Sequence, residues 1–401
     1  MRNILWVAEA VTLAHVARPL AALRTVDTAR WQSVIAADPR VRHHFSAVQA
    51  RFAPLQSVDA GDFLRALRRG APLYDARTLR TYVEADLALL RETRPDLVIG
   101  DFRLSLSISA RLTGVPYATI ASACWSPQYR PPSWIVPALT LTRVLPLWLA
   151  GTVFRAARPV AFRAHAAPLN QVRRLFGLAA IDGDVRDVYT DADYVLYSDV
   201  PELFPGAGLR PNQRFVGPAL WQPETPASWS WPDSRNGDSR VYVTLGSSGA
   251  AELLPNIAEA LRTMRVVALV STASRGGALR GSPNVQVADL LPGLDVAKSA
   301  SIVVCNGGTL TCYQALCAGV PVVGIPSNLE QFLTCDAIER AGAGLYMRAD
   351  RFDPRRFREI VARAVEDSSL RDKARRIAGW CQSCSLERTI PAFLEQFDNP
   401  A

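Results

Sequence analysis

Residues 301–325 read SIVVCNGGTLTCYQALCAGVPVVGI, and this stretch decides the fold. The apolar run 301–305 predicts a buried strand, and Gly307-Gly308 predicts a tight turn that opens a helix. A second apolar run at 321–325 predicts the next strand. A strand, a helix and a second strand in this order form a βαβ unit, which indicates a parallel sheet covered by helices on both faces.

The same alternation of apolar runs and helical patterns occurs in both halves of the chain. A helical pattern at 104–113 separates two of the strand candidates, as a doubly wound sheet requires. The sequence therefore predicts an α/β protein with two Rossmann-like, doubly wound domains. Because such sheets bind ligands at the carboxyl ends of their strands, we expect the two domains to face each other across a cleft. The strand candidates outside 301–325 are 3–8, 95–100, 114–120, 214–218, 240–245, 266–271 and 285–287.

Chain length and local composition suggest the domain boundaries. At 401 residues the chain is too long for one ordinary core. We expect a first domain at 1–221, a linker at 222–238 that is rich in Pro, Ser and Trp, and a second domain at 239–380. The remaining 381–401 is expected to form a C-terminal helix that packs back toward the first domain.

The positive charge of the chain does not indicate a nucleic-acid partner. The formal net charge is +8, but only Lys298 and Lys373 are lysines, and the arginines are scattered without forming a stripe. A nucleic-acid-binding protein concentrates its positive charge on one face, so we expect no nucleic acid to bind. We expect a monomer or a homodimer.

Cysteine usage and two apolar segments bear on the cellular compartment. The seven cysteines are an odd number, and Cys381-Gln-Ser-Cys384 lacks a second ligand pair for zinc, so we expect reduced thiols in a cytoplasmic protein. The apolar N-terminus is interrupted by Glu9 and His15, which argues against a signal peptide. The apolar segment 134–154 is broken by prolines and an arginine, which favours an acceptor wall or a membrane-touching surface over a spanning helix.

The segment 306–331, NGGTLTCYQALCAGVPVVGIPSNLEQ, resembles the donor signature of the UDP-glycosyltransferase superfamily, whose GT1-like members have the GT-B fold. That signature runs His-Gly-Gly, Glu-Ala-Leu, Gly-Val-Pro and Asp/Glu-Gln in this order. The resemblance implies an inverting glycosyltransferase with an acceptor-binding first domain and a second domain that binds the nucleotide sugar. The implied donor contacts are Asn306, Gly307, Gly308, Thr309 and Thr311 at the diphosphate, Ser247 and Ser248 at the phosphates or sugar, Gln314 at the ribose, Glu330 and Gln331 at the sugar, and Leu290 and Leu291 at the base.

Three positions depart from the family pattern and leave the nucleotide open between UDP and dTDP. Asn306 stands where the family usually has a histidine on the diphosphate, so it offers a neutral hydrogen bond only. Gln314 stands where a carboxylate usually binds the ribose hydroxyls, and Leu290 stands where many relatives stack a tryptophan on the base. Loss of the ribose-binding carboxylate is compatible with a deoxyribose donor.

The turn Ala14-His15-Val-Ala-Arg-Pro19 resembles the family's Gly-His-x-x-Pro turn, which implies that His15 is the catalytic base. The chemistry needs such a group, because an alcohol is a poor nucleophile until its proton is removed. Asp101, at the end of the strand 95–100, is implied as the carboxylate that orients His15. The alternatives are a histidine that only packs in the turn and an aspartate that only caps the helix 104–113.

The acceptor is expected to be small and apolar or aromatic, and to bind along the region 122–149. Aromatic side chains offer flat apolar surfaces, so Trp125, Tyr129 and Trp134 are the acceptor-binding candidates, with ordinary core packing as the alternative. We expect no metal and no cofactor, the nucleotide sugar being a co-substrate. The motifs that mimic a metal-binding Asp-x-Asp, 182–184 and 191–193, do not end apolar strands.

Three other functions fit the sequence. The apolar segment 134–154 also suggests a lipid glycosyltransferase that works at a membrane surface. A sugar-nucleotide epimerase would use the same double fold, and product analysis with donor alone would identify it. The departures at Asn306 and Gln314 allow a nucleotide-sugar-binding protein without turnover, against which any transfer or donor hydrolysis would count.

Overall fold

Parallel strands dominate the structure. This is a computed structural model, and it describes residues 1–181, 183–205, 210–223, 229–233, 237–275 and 279–397. Contacts divide the chain into two units. Unit 1 contains Met1–Pro132, Trp148–Ala219 and the chain from Cys384, and unit 2 contains Ser133–Leu147 and Leu220–Ser383.

Each unit is built on one sheet, and the strand pairings are parallel throughout. Unit 1 contains β1 (Arg2–Ala8), β2 (Trp31–Ala37), β3 (Arg51–Pro54), β4 (Leu97–Asp101), β5 (Tyr117–Ala121), β6 (Tyr194–Tyr197) and β7 (Gln213–Phe215), and unit 2 contains β8 (Ser239–Thr244), β9 (Val266–Ser271), β10 (Val285–Ala288), β11 (Ile302–Cys305), β12 (Val322–Gly324) and β13 (Gly344–Tyr346). The strand orders are β3-β2-β1-β4-β5-β6-β7 and β10-β9-β8-β11-β12-β13. These doubly wound orders confirm the predicted α/β fold with two Rossmann-like units.

Helices connect the strands and cover the sheets. They are α1 (Leu13–Leu23), α2 (Ala60–Arg69), α3 (Ala76–Thr93), α4 (Leu106–Thr113), α5 (Thr140–Val144), α6 (Leu147–Leu175), α7 (Val185–Tyr189), α8 (Leu254–Arg262), α9 (Gly293–Ser299), α10 (Thr309–Cys317), α11 (Leu329–Arg340), α12 (Pro354–Glu366), α13 (Ser368–Ser383) and α14 (Leu386–Leu394). Within the described ranges, none of these helices is both long and apolar enough to cross a bilayer.

The register of neighbouring strands aligns the loops that carry the predicted functional residues. In unit 1, Ala8 at the end of β1 pairs with Asp101 at the end of β4. In unit 2, Thr244 at the end of β8 pairs with Cys305 at the end of β11. Because parallel strands end at the same sheet edge, each unit gathers two of its loops at one place.

The segment 133–147, which the sequence analysis assigned to the first domain, packs in unit 2. The Ala138 N–H donates to the Ser327 carbonyl at 2.8 Å, and Nη1 of Arg348 donates to the Val136 carbonyl at 2.7 Å. The boundary predicted at 221 lies close to the observed division between Ala219 and Leu220. Periodicity could not assign this segment to a unit, because the hydrogen bonds that hold it join residues far apart in the sequence, 212 positions in the case of Arg348 and Val136.

The predicted linker and C-terminal helix also differ in detail. Gln222 Nε2 donates to Asp295 at 2.8 Å and Trp231 Nε1 donates to Ser299 Oγ at 3.0 Å, so the described part of 222–238 packs on α9. Residues 224–228 and 234–236 lie outside the described residues. In unit 1, Thr389 Oγ1 on α14 donates to the Val216 carbonyl at 2.7 Å. The part of the C-terminal segment that belongs to unit 1 therefore begins at Cys384, whereas the sequence predicted a start at 381. Residues 398–401 lie outside the described residues.

Candidate active site

The candidate site of unit 1 is a buried histidine–aspartate pair. His15 lies in the first turn of α1, and its Nδ1 is 2.7 Å from Oδ1 of Asp101. Asp101 is 0% exposed and His15 is 8% exposed. The structure therefore brings together the two residues that the sequence analysis assigned to proton transfer.

Arg18, which the sequence analysis did not select, completes this cluster. Its Nε donates to Oδ2 of Asp101 at 2.7 Å and its Nη2 donates to Oδ1 at 2.9 Å. Its Nη1 donates to Ser122 Oγ at 3.0 Å. A bidentate arginine–carboxylate pair is strong and directional, so Arg18 fixes the plane of the Asp101 carboxylate. The available signal was the i, i+3 spacing of His15 and Arg18, which places both on one helix face.

The proton on His15 decides whether the imidazole can act as a base. Nδ1 of His15 is 2.7 Å from Arg18 Nη2 as well as from Asp101. With the proton on Nδ1, the ring donates to Asp101 and the Nε2 lone pair stays available. With the proton on Nε2, the ring accepts from Arg18 and has no lone pair to offer a substrate. Base chemistry thus requires the tautomer that donates to Asp101.

An aromatic cluster surrounds the His15 ring. Phe102 stacks on the imidazole at 4.5 Å between ring centroids with 17° between the planes. Its φ of +58° is a left-handed conformation that costs free energy in a non-glycine residue. Tyr189 contacts Phe102 at 5.2 Å, and Trp125 contacts Tyr189 edge-on at 5.1 Å. Of the three predicted acceptor residues, only Trp125 belongs to this cluster.

The other two acceptor candidates lie elsewhere. Tyr129 is 1% exposed, its ring packs edge-on against Phe204 at 5.4 Å, and its carbonyl accepts from Arg186. These contacts match the alternative reading, ordinary core packing, because a ring enclosed in this way presents little surface. The acceptor contact of Tyr129 stays a prediction. Trp134 lies in unit 2 with the rest of 133–147, whereas the His15–Asp101 pair lies in unit 1.

A second buried charge cluster lies directly beside the pair. The Glu9 N–H donates to the Asp101 carbonyl at 3.3 Å, and the Glu9 carboxylate accepts from Arg103 at 3.0 Å. Arg103 also donates to Asp86 at 3.0 Å, and its guanidinium lies 3.5 Å from the Tyr82 ring centroid. Burial raises the pKa of both the Glu9 and the Asp86 carboxyl groups. Phe102 lies between two residues that these contacts hold in place, Asp101 through the Glu9 N–H and Arg103 through the Glu9 and Asp86 carboxylates.

The candidate site of unit 2 is the turn after β11. Asn306 Oδ1 accepts from the Gly308 N–H at 3.1 Å, and Asn306 Nδ2 donates to Ser248 Oγ at 3.3 Å. Gly307 has a φ of +82°, and Gly308 is the N-cap of α10. The first amides of a helix have no partner within the helix and carry partial positive charge, which suits a phosphate.

The loop after β8 is joined to this turn through Ser248. Gln331 Nε2 donates to Ser248 Oγ at 3.3 Å, while Gln331 Oε1 accepts from the Ser327 N–H at 2.9 Å. Asn328 and Gln331 also form the capping box of α11. Gln331 is 2% exposed and holds these loops together, whereas the sequence predicted a contact with sugar hydroxyls. Its neighbour Glu330, in the first turn of α11, is partly exposed.

Other predicted donor residues fall around the same turn. Gln314 Nε2 donates to the Trp221 carbonyl at 2.6 Å, so its amide holds the start of unit 2 rather than standing free for a ribose. Leu290, two residues beyond the end of β10, is 43% exposed, and Leu291 is buried. Ser247 is partly exposed, Thr309 is buried and Thr311 is partly exposed in the first turn of α10.

The motifs that mimic a metal-binding Asp-x-Asp serve as structural contacts. Asp184 caps α7 and pairs with Arg186, and Asp191 pairs with Arg111 and Arg173. Asp182 lies outside the described residues. Across the portion of the chain that is described, no group of three His, Cys, Asp or Glu side chains could hold a metal ion.

Comparisons with known proteins identify the family. The model for the "Erythromycin biosynthesis protein CIII-like, C-terminal domain" matches residues 253–384. A "PGL/p-HBAD biosynthesis glycosyltransferase" of Mycobacterium tuberculosis strain H37Ra is 41% identical over 94% of this chain and 88% of its own. A "PGL/p-HBAD biosynthesis rhamnosyltransferase" of Mycobacterium bovis strain BCG is 42% identical over 94% of this chain and 84% of its own.

A solved structure agrees with the fold. The spinosyn rhamnosyltransferase SpnG covers 100% of both chains with a TM-score of 0.69 at 17% identity, and it has also been solved with thymidine diphosphate and with spinosyn aglycone. The sequence-based resemblance is therefore confirmed. This chain belongs to the UDP-glycosyltransferase superfamily and is a glycosyltransferase with the two-domain GT-B fold.

Proposed function

We propose that this enzyme transfers a sugar from dTDP or UDP to a hydroxyl of a small apolar or aromatic acceptor, with inversion at the anomeric carbon. The observation that carries the mechanism is the 2.7 Å contact between His15 Nδ1 and the fully buried Asp101. Nε2 of His15 takes the acceptor proton as the oxygen attacks the face opposite the leaving diphosphate. Asp101 holds the required tautomer and stabilises the imidazolium that forms.

The donor is assigned to unit 2. The amides of the first turn of α10 take up the negative charge of the leaving diphosphate, without a metal ion, while Asn306 holds the Gly308 N–H and shapes the turn. A dTDP donor is the first choice for two reasons. The spinosyn rhamnosyltransferase was solved with thymidine diphosphate, and Gln314 supplies no carboxylate for a ribose hydroxyl. The rhamnosyltransferase name of the Mycobacterium bovis relative supports a 6-deoxyhexose as the sugar.

The acceptor is assigned to the aromatic cluster of unit 1. Phe102 faces His15, and Tyr189 and Trp125 extend the apolar surface away from it. Aromatic faces bind ring systems through dispersion and offset stacking, which fits an apolar or aromatic aglycone.

The enzyme is assigned to the cytoplasm. Its seven cysteines are all free thiols, which fits a reducing compartment.

The direct test is transfer with purified enzyme. dTDP- and UDP-sugars are incubated with a panel of phenols and macrolactone alcohols, and products are read by mass spectrometry and by NMR of the anomeric proton. We expect transfer from a dTDP-sugar with inverted configuration. Retained configuration would overturn the proposed displacement, release of an epimerised donor without acceptor would favour an epimerase, and tight donor binding without any product would identify an inert binder.

Substitution of Gly307 tests the diphosphate turn. A β-carbon at this position would lie 2.9 Å from the Gln331 carbonyl oxygen and closer still to Cys335 Sγ, and the φ of +82° disfavours any side chain. Gly307→Ala is expected to cost about 1–3 kcal/mol of stability and to weaken dTDP binding at least about tenfold. The matched control is Gly379→Ala inside α13, where nothing lies within 4 Å of a new β-carbon. Calorimetric titration measures the dTDP dissociation constant of both variants. Equal dissociation constants would contradict the assignment of the diphosphate to this turn.

Substitution of Arg18 tests its role as a positioning residue. Arg18→Met keeps the apolar stem but removes both hydrogen bonds to Asp101, so the carboxylate loses its fixed plane. We expect kcat to fall about 10- to 100-fold with little change in donor KM. Arg18→Lys should recover part of the loss, because a lysine supplies the charge without the bidentate fork. Arg24→Met, at the exposed end of α1, is the control, and a kcat equal to that of the control would remove Arg18 from the proposal.

A further inference from the structure

Helix α6 of unit 1 has an outer surface that differs from an ordinary solvated helix face. The exposed side chains of residues 148–167 are apolar except for Thr152, Arg155 and Arg163. Trp148 is 73% exposed and Val160 is 68% exposed. We call the exposed side of 148–167 the α6 face. Solvated helix faces are normally polar, and a contiguous apolar face on the surface marks a contact site.

The charges of α6 are of one sign. Its 29 residues include five arginines and no aspartate or glutamate. Arg173 is committed to Asp191 at 2.7 Å, and Arg158 is partly buried. Arg155 and Arg163 are exposed on the α6 face itself. Within the described ranges neither of these two arginines pairs with a carboxylate. The α6 face is therefore apolar with a positive charge, which complements a negatively charged partner.

We propose that the α6 face docks onto an anionic lipid surface. A second copy of this chain would bring arginines against arginines, so the charges disfavour self-association. Nucleic acid satisfies the arginines but offers nothing to the exposed Trp148, Val153 and Val160. A bilayer surface satisfies both, because acyl chains take up the apolar side chains while anionic headgroups pair with the arginines. The helix lies in the interface plane, with the exposed Trp148 at headgroup depth.

Such docking would bring the enzyme to apolar acceptors that partition into membranes. The inference does not depend on the base or on the diphosphate turn, because lipid binding is measured without donor or acceptor. Transfer to a small water-soluble acceptor reports the proposed function separately. The α6 residues named here belong neither to the aromatic cluster of unit 1 nor to the turn after β11 in unit 2.

The test is co-sedimentation of the full chain with lipid vesicles. We compare phosphatidylcholine alone with phosphatidylcholine containing about 30% phosphatidylglycerol, at about 0.1 M and about 0.5 M salt. We expect at least about fivefold more bound protein on the anionic vesicles at low salt, and a marked decrease at high salt. Absence of binding to both vesicle types would overturn the proposal.

Two pairs of variants separate insertion from simple charge attraction. Val160→Glu and the double variant Arg155→Glu, Arg163→Glu should each lose most vesicle binding. Their controls are Leu112→Glu, at a 41% exposed leucine on α4, and Arg91→Glu with Arg94→Glu, at two exposed arginines at the end of α3. Controls that lose as much binding as the α6 variants would overturn the assignment to this face. Full retention of binding by Val160→Glu would reduce the contact to non-specific electrostatics and would equally contradict the proposal.

Discussion

His15→Ala is expected to lower kcat for sugar transfer about 10²- to 10⁴-fold while nucleotide binding stays at the wild-type level. The buried pair explains the size of the effect, because Nε2 is the only atom of this cluster left to accept a proton once Asp101 and Arg18 are bonded to each other. The diphosphate turn belongs to unit 2 and contains no atom of His15. Steady-state kinetics with a dTDP-sugar and a phenol, together with thermal shift by dTDP, measure the two quantities separately.

A matched histidine controls for the loss of an imidazole. His43 is exposed in a polar 3-10 helix after β2, and His43→Ala should leave kcat unchanged. An additional variant, Asp101→Asn, keeps the shape of the side chain but removes its charge, and should lower kcat because the amide no longer enforces the donating tautomer. A His15→Ala enzyme with normal kcat would refute the assignment of the base. Loss of dTDP binding in that variant would instead indicate a structural role for His15.

Strands and turns of the sheets were readable from sequence because buried parallel strands are continuous apolar runs. The runs that became β1, β4, β9 and β11 were found within two residues of their observed ends. Two of the missed strands, β2 and β3, lack that signal, whereas the missed strands β6 and β13 are apolar runs of only four and three residues. β3 begins with an exposed arginine at the sheet edge, and β2 carries Gln32 and Ser33 in its first half. Edge and mixed strands are defined by their partners rather than by their own composition.

The apolar segment 134–154 is divided in the structure where the sequence predicted interruptions. The prolines and the arginine that interrupt it all precede α6, which begins at Leu147, and the chain passes from unit 2 to unit 1 at that point. Helix α6 itself continues through Pro159 and Pro168. A proline removes one backbone donor and usually ends a helix, but an exposed turn can lose that hydrogen bond to water.

The site was predictable where topology alone brings residues together. His15 and Asp101 follow adjacent parallel strands, so their loops had to meet at one edge. Arg18 was missed because an arginine on an apolar helix is as compatible with a side chain that reaches solvent as with a buried ion pair. The contacts of Gln314 and Gln331 with Trp221 and Ser248 depend on side-chain packing, and a family resemblance does not contain that information.

Arg103→Met is expected to cost about 3–5 kcal/mol of unfolding free energy, the largest stability effect predicted for this chain. Arg103 is 1% exposed and is the cation bonded to both Glu9 and Asp86, so its removal leaves two buried carboxylates uncompensated. The control is Arg51→Met, which breaks an exposed pair with Glu92 and should cost under about 1 kcal/mol. Urea unfolding of both variants measures the difference.

The pH dependence of that loss follows from the direction of the pKa shifts. Burial raises the pKa of Glu9 and of Asp86 even with Arg103 present, so the folded state binds these protons more tightly than the unfolded state. A carboxyl group whose pKa is raised in the folded state adds to the free energy of unfolding, and this addition is complete below the pKa of the unfolded state. It is lost as the pH rises through the pKa of the folded state. Without Arg103 both carboxyl groups become harder still to ionise. The loss of unfolding free energy in Arg103→Met, relative to the wild type, should therefore be larger at pH 8 than at pH 5 when the ionic strength is kept the same. A deficit that is equal at both pH values, or smaller at pH 8, would contradict this account.

The same variant connects stability to catalysis. Arg103 follows Asp101 and Phe102 directly, and its contact with Glu9 joins the end of β4 to the end of β1. Phe102 keeps its left-handed φ of +58° only while the residues on both sides of it are held in place. Arg103→Met should therefore let Phe102 relax away from the His15 ring and lower kcat at temperatures where the protein is still folded. Because acceptor stacking is assigned to this aromatic cluster, acceptor KM should rise while donor KM is unchanged, and an unchanged acceptor KM in the folded variant would separate Phe102 from the acceptor site.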